Sequence, residues 1–340
     1  MNTSDYLTVE KESGIATIWL DVKHESMNVI SPTLMKILGE VFNDLNTDDS
    51  VKGVVITSGK KDFLAGADIK SFNIEKEGDF RPIQSEGLKM LEELEKGSKP
   101  VVAAIHGTGF GLGTELPLAC HARIASNHPS TKMGLPEVKL VILPGGGGTQ
   151  RLPRLVGIQT ALDMILTGKN IFAYRAKKMG LVDELTDKNK LHHAAKVLVQ
   201  KLIDGKFKRK KRKKGFVKWF LEDTGIGRGI LFKQARKMAM KQSQGNYPAI
   251  PAILDTIETG YKKGIKAGYE KELEYFEKLM LTPESNAMRG LFFNMSANKK
   301  NPIMKDAPKV DTLGMIGAGF MGAGIAEVSV NKGIKVLLKD

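Results

Sequence analysis

Residues 99–119 read KPVVAAIHGTGFGLGTELPLA. After Pro100, the run VVAAI is continuous in apolar residues, the pattern of a strand covered on both faces. The glycines of GTGFGLG then turn the chain, and a helix is expected to begin near Glu115. A buried strand, a glycine turn and a helix in succession form the repeating unit of an α/β fold.

Upstream, QSEGLKMLEELEK (84–96) has the apolar spacing of an amphipathic helix, and VKGVVITS (51–58) reads as a short buried strand ended by the Gly59–Asp62 turn. Ser31 and Pro32 supply an N-cap and a first-turn proline for a helix through LMKILGEVFNDL. LTVEK, Ser13-Gly14 and IATIWL alternate as a hairpin. Downstream, HARIASN (121–127) is another strand, and TKMGLPEVKLVILPGGGGTQRLPRLVG (131–157) is a loop-rich stretch ending in helix. Strands alternate with helices to about residue 190; from 191 to 300 the pattern is helical, with a break and restart at Thr282-Pro283-Glu284. NKKNPIMKDAPKV (298–310), polar with two prolines, reads as a linker. The expected domains are therefore 1–190, 191–308 and 309–340.

With 340 residues, 41% of them apolar, the chain can bury a sizeable core. No run approaches the length of a bilayer span, and the start, MNTSDYLTVEKESG, does not resemble a signal or transit peptide, so a cytoplasmic protein is expected. One cysteine, Cys120, precludes an internal disulfide framework and suits a reducing compartment. The net charge of +14 is concentrated at 206–214, where eight of nine residues are Lys or Arg. That run reads as a solvated connector, because like charges repel and resist packing; the alternative is contact with an anionic partner. No aromatic-interleaved stripe accompanies it, so no nucleic-acid partner is expected.

Three short stretches suit one chemistry. FLAGADI (63–69) puts small residues in a turn where the N–H of Ala67 can face a ligand. GFGLGTE (109–115) starts a helix, whose first N–H groups are unpaired and lie at the positive end of its dipole. Two such donors aimed at one carbonyl oxygen would make an oxyanion hole, in which each donor contributes about 2.7–4 kcal/mol of transition-state stabilisation. Glu115, in the first helical turn, and Glu137, on a proline-stiffened loop, could divide general base from general acid. Singly these features are commonplace; their order and spacing are not.

AGADI, AAIHG…GLGTELPLAC and GLPEVKLVILPGGGGTQRLPRLVG resemble the enoyl-CoA hydratase/isomerase (crotonase) family, in particular the α subunits of multifunctional fatty-acid oxidation complexes. The likeness extends to NYPAIPAILDTIETG and AGYEKE in the helical part. It implies a crotonase-like ββα spiral core and the addition of water to a trans-2-enoyl-CoA, with Glu115 and Glu137 holding the water between them. The implied oxyanion donors are Ala67 and Leu112; the latter stands where the family usually has glycine, so its side chain could narrow the slot. Ala65, Gly66, Asp68, Ile69 and Gly113 would border the substrate. Hydration needs no cofactor, CoA being part of the substrate. The implied alternatives are Δ3-Δ2-enoyl-CoA isomerisation at the same site and a non-catalytic scaffold; the implied partners are a thiolase β subunit or further copies of this chain.

The last segment, VDTLGMIGAGFMGAGIAEVSVNKGIKVLLKD, carries G-x-G-x-x-G at Gly317, Gly319 and Gly322 between a strand and a helix. Asp340 follows 18 residues later, suited to the ribose hydroxyls of NAD, with Met321 beside the turn. It is similar to the 3-hydroxyacyl-CoA dehydrogenase half of the same complexes. That family's catalytic histidine and glutamate would fall beyond residue 340, so an incomplete Rossmann β-α-β stub without dehydrogenase activity is expected. His106, His121, His128, His192 and His193 have no metal-ligand spacing and read as structural, and no metal is expected.

Overall fold

The computed structural model describes residues 3–72, 74–209, 215–299 and 308–340. Residues 210–214 of the basic run and 300–307 of the expected linker lie outside the described residues. The chain divides into two compact units, Met1–Arg289 and Gly290–Asp340.

In the first unit the strands are β1 (Leu7–Glu12), β2 (Ile15–Leu20), β3 (Gly53–Ser58), β4 (Val101–Ile105), β5 (Thr108–Phe110), β6 (Ala122–Ser126), β7 (Lys132–Gly134), β8 (Ile171–Phe172) and β9 (Glu184–Thr186). Six of them form one sheet in the order β1-β2-β3-β4-β6-β9. The β1–β2 hairpin is antiparallel and every other pairing in this sheet is parallel. Ser13 and Gly14, at φ +52° and +79°, close the hairpin at the expected dipeptide. The helices are α1 (Pro32–Thr47), α2 (Arg81–Lys96), α3 (Leu112–Ala119), α4 (Gly148–Val156), α5 (Ile158–Thr167), α6 (Ala173–Met179), α7 (Leu191–Ile203), α8 (Phe216–Asp223), α9 (Gly225–Ser243), α10 (Ala249–Lys262) and α11 (Ile265–Met280), while α12 (Pro283–Lys299) has residues in both units.

The sheet is covered on both faces, which is why its central strands β3, β4 and β6 are buried at every position and β4 is apolar throughout. Val55, Val102, Ala104 and Ile124 pack beneath Leu191, Ala195, Leu198 and Val199 of α7. Their strand neighbours Val54, Ile56, Ala103 and Ile105 point the other way, into the main core with Leu34 and Leu38 of α1, Leu91 of α2 and Leu116 of α3. Each such side chain contributes about 1.5–3 kcal/mol when fully buried.

A second sheet, β5-β7-β8, joins the glycine turn after β4, the start of the loop-rich stretch and residues 171–172. Its strands have three, three and two residues, too short to display a period of two in sequence. Isolated bridges pair Ile30 with Ala67 and Leu64 with Gly109.

The helical region supplies a tie to the core. The first residues of α2 have no side-chain cap of their own. Glu277 of α11 fills that role: its Oε1 accepts the N–H groups of Phe80 and Arg81, both at 2.7 Å, and its Oε2 accepts that of Gly78 at 2.9 Å. A carboxylate at a helix N-terminus satisfies orphan donors and the dipole together.

In the second unit, β10 (Thr312–Ile316) and β11 (Lys335–Lys339) pair in parallel, with α13 (Phe320–Asn331) between them in sequence.

Candidate active site

The floor of the site is made where two glycine loops touch. A Cβ on Gly66, itself at φ +107°, would stand 3.1 Å from the carbonyl oxygen of Phe110. One on Gly113 would stand 2.1 Å from that of Leu64. Only glycine allows the two backbones this close. Among the described residues the N–H groups of Ala67 and Leu112 have no partner, and both residues line one cleft. Leu112 is the first residue of α3, so its N–H belongs to the unpaired first turn. The helix thus begins three residues before Glu115, which occupies its first turn as expected.

Glu115 is 1% exposed. Its Oε1 accepts the N–H groups of Gly146 and Gly148, each at 2.8 Å. Burial pushes its pKa up to about 7, against the pull of those N–H groups and of Arg151. Glu137 starts a 3-10 turn, Glu137–Leu140, that ends on Val141 at φ +57°. A β-branched residue in the left-handed region is strained, which costs about 1–3 kcal/mol. Glu137 as a residue is half-buried, yet its Oε2 is enclosed and without a hydrogen-bond partner. Burial first, then the charge of Glu115, hold its pKa well above the ordinary carboxylate value. Its Oε1 lies 3.0 Å from the place a Cβ on Gly111 would take.

A third carboxyl, Glu272 of α11, is wholly buried behind the same glycine loop. It accepts the N–H of Gly147 at 2.6 Å and makes a short contact with the Thr149 hydroxyl. Burial, then the charge of Glu115, raise its pKa to about 8. Arg151, 4% exposed, donates to the Gly146 carbonyl and to Glu95, each at 2.9 Å.

The cleft above these groups encloses about 930 Å³ of empty space, part of it open to solvent. Its walls are apolar: Met35 from α1, Ile83, Leu88 and Leu91 from α2, and Phe276 from α11. Phe276 stacks on Phe80 at 5.5 Å between ring centres, and Phe72 packs on Phe80 at 4.5 Å. The side chain of Leu112 also faces the cleft and lies over Gly146, where a Cβ would come 2.5 Å from its Cδ2. Leucine therefore fits at this position because residue 146 has no side chain.

Of the residues expected to border a substrate, Ala65, Gly66 and Ile69 line the cleft. Asp68 instead caps the short turn Ile69–Ser71 through the Lys70 N–H, and Gly113 sits beneath Leu64. Glu272, Thr149, Arg151 and Phe276 were not singled out in sequence; AGYEKE and GGGGTQR held the first three in plain view without a sign that they meet. His106, His121 and His192 each hold a structural hydrogen bond, to the Lys60 carbonyl, the Val101 N–H and the Thr17 hydroxyl. No group of His, Cys, Asp and Glu among the described residues could hold a metal, and no described helix is long and apolar enough to cross a membrane.

In the second unit Gly317 takes φ +94°, Gly319 precedes α13, and a Cβ on Gly322 would stand 1.9 Å from the Gly317 carbonyl oxygen. Asp340 accepts the Ala318 N–H at 2.8 Å, and Met321 is exposed beside the turn. A side-chain-free turn opening directly onto a helix start fits a dinucleotide pyrophosphate.

The fold and cleft define an α/β protein that brings two buried carboxyls to a pair of free backbone donors. Residues 10–225 match the enoyl-CoA hydratase/isomerase family, and the chain belongs to it. Residues 312–340 match the NAD binding domain of 3-hydroxyacyl-CoA dehydrogenase. The fatty acid oxidation complex subunit alpha of Shewanella sp. strain ANA-3 is 44% identical over 335 residues, 97% of this chain and 47% of that protein. The chain thus spans about half the length of such relatives. An enoyl-CoA hydratase from Bacillus anthracis has a similar structure: TM-score 0.54, 28% identity, 86% of this chain and 96% of that one. An enoyl-CoA hydratase/isomerase from Pseudoalteromonas atlantica shares the fold at TM-score 0.60 and 20% identity, over 85% of this chain and 97% of that one. The architecture is that of the crotonase fold.

Proposed function

We propose that this chain hydrates 2-enoyl-CoA thioesters in fatty-acid β-oxidation. The observation that carries the reading is the meeting, in one apolar cleft, of Glu115 and Glu137 with the uncommitted N–H groups of Ala67 and Leu112. The thioester carbonyl would accept from those two donors as an enolate develops. Glu115, whose pKa lies near 7, is the group to take a proton from water as it attacks the β-carbon. Glu137, whose carboxyl burial also holds well above its ordinary range, is the group to deliver a proton to the α-carbon. Isomerisation would use one of these carboxyls; the burial of both at the cleft favours hydration. Apolar walls suit the acyl chain.

We extend this to the rest of the protein's biology as follows. Residues 1–190 form the hydratase core, 191–308 its helical extension, and 309–340 the opening of an NAD-binding dehydrogenase unit. Hydration itself draws on no cofactor. The name borne by the relatives speaks for a complex; we propose a thiolase subunit or another copy of this chain as the partner, and the cytoplasm as the place.

The test is the loss of enoyl-thioester absorbance when the chain meets crotonyl-CoA and a longer enoyl-CoA. Glu115→Gln and Glu137→Gln should each lower kcat by at least about 100-fold. A folded wild-type chain with no turnover on either substrate would sink the reading.

A further inference from the structure

The glycine loop 145–148 offers three consecutive N–H groups to carboxylates, and they do not all go to the same one. Those of Gly146 and Gly148 hold Glu115 Oε1, whereas that of Gly147, between them, points to the opposite side and holds Glu272. Glu272 also contacts the Thr149 hydroxyl, one residue after the loop. Side chains from α3 and α11 thus grip one backbone segment from its two sides. No side chain could be added at 146, 147 or 148 without coming within 3.0 Å of a neighbour, so the segment has little room to move except by releasing a carboxyl.

We propose that Glu272 is a positioning residue for the hydration site: it clamps Gly147 and Thr149, and so holds the Gly146 and Gly148 donors on Glu115. The assignment rests on the hydratase reading for its kinetic consequence but not for its geometry. Glu272 accepts at both contacts, one oxygen from the Gly147 N–H and the other from the Thr149 hydroxyl, whose oxygen in turn accepts from the Gln150 amide. The charged and titratable groups around it are Glu115 from α3, Glu137 from its turn, Arg151 from α4 and Tyr269 on its own helix, with Glu92 and Glu95 of α2 behind Arg151 and Tyr269. Burial first, then the charge of Glu115, push the Glu272 carboxyl up to about 8.

Glutamine at 272 can keep both contacts, its oxygen accepting from the Gly147 N–H and its NH2 donating to Thr149 Oγ1 once that hydroxyl turns; alanine can make neither. Hydrogen exchange at the loop amides, read by NMR on the intact chain, tests the clamp without reference to activity. Gly146 and Gly148 should exchange about 10-fold faster or more in Glu272→Ala and at the wild-type rate in Glu272→Gln. In turnover of crotonyl-CoA, Glu272→Ala should lower kcat by about 100-fold with KM little changed. Glu272→Gln should recover most of kcat at neutral pH. Its rate profile should keep the acid limb and move the basic limb to lower pH, because the charge that Glu272 acquires above pH 8 no longer holds up the proton on Glu137.

A merely structural glutamate would leave both limbs in place. Wild-type exchange at Gly146 and Gly148 in a folded Glu272→Ala chain would overturn the clamp. If the wild type itself has no turnover, the hydratase reading fails, and the exchange data still decide on Glu272.

Discussion

Gly146→Ala places the smallest possible perturbation at the point where Leu112 and Glu115 meet. Gly146 has no left-handed φ, unlike Gly147 at φ +84°, so alanine adds no backbone strain there. Its Cβ, however, would lie 2.5 Å from Leu112 Cδ2 and 2.9 Å from Glu115 Oε2. Leu112 is half-buried and can swing partly into the cleft, but Glu115 is pinned by two hydrogen bonds and must give one up to retreat. A hydrogen bond to a charged group is worth about 1.5–3 kcal/mol, which translates into a kcat about 10- to 150-fold lower if its loss is felt in the transition state. The assay is steady-state hydration of crotonyl-CoA with thermal melting alongside. Adding Leu112→Gly to Gly146→Ala removes the contact with leucine but not that with Glu115, so it should restore only part of the loss. A folded Gly146→Ala chain with kcat within about twofold of wild type would refute the claim that the loop's missing side chains hold Glu115 in place.

Other parts of the molecule yield further expectations. Arg123, fully buried, pairs with Asp183 at 3.0 Å and donates to the Leu181, Pro117 and Cys120 carbonyls; Arg123→Ala leaves those carbonyls unpaired while Asp183 keeps Arg209 at 2.9 Å, and should cost about 1–3 kcal/mol in urea unfolding. Phe276→Ala opens the wall between α11 and α2; it should cost about 3–5 kcal/mol of stability and raise kcat/KM for longer acyl chains relative to crotonyl-CoA. Glu115 and Glu272 have folded pKa values of about 7 and 8, above the ordinary 4.5. The folded state therefore binds more protons than the unfolded one between those limits, and stability present below pH 4.5 is lost as pH rises through 7 to 8. The fall in Tm from pH 5 to pH 9 should accordingly be smaller in Glu272→Gln than in wild type, and equal falls would contradict the assignment.

The sheet was readable because burial on both faces leaves a direct trace: VVAAI, and GVVI within GVVITS, are apolar at consecutive positions, and their shortness and β-branched residues mark them as covered strands. The Ser31 cap, too, is a local event, with the Leu34 N–H three residues away as its partner. The strands at 108–110, 132–134 and 171–172 left no such trace, since each is held by its neighbours and not by its own pattern. Glu277 was unreadable for a related reason: it caps a helix 196 residues earlier in the chain, and no cap signal exists near Arg81 itself.

The site divides along the same line. Ala67, Leu112, Glu115 and Glu137 could be placed together because each sits in a compact stretch whose order matches a known family. Glu272 belongs to an amphipathic helix, YEKELEYFEK, in which a glutamate normally faces water; only packing against α4 turns it inward. Its presence changes what the four glycines at 145–148 mean. A glycine run between a proline and a helix reads as a flexible turn, yet here three of its N–H groups are spent on two carboxyls and Arg151 donates to one of its carbonyls. The absence of side chains serves close approach from both sides rather than freedom of motion. Flexibility and rigidity are written with the same residue, and which one is meant depends on the partners the fold brings to it.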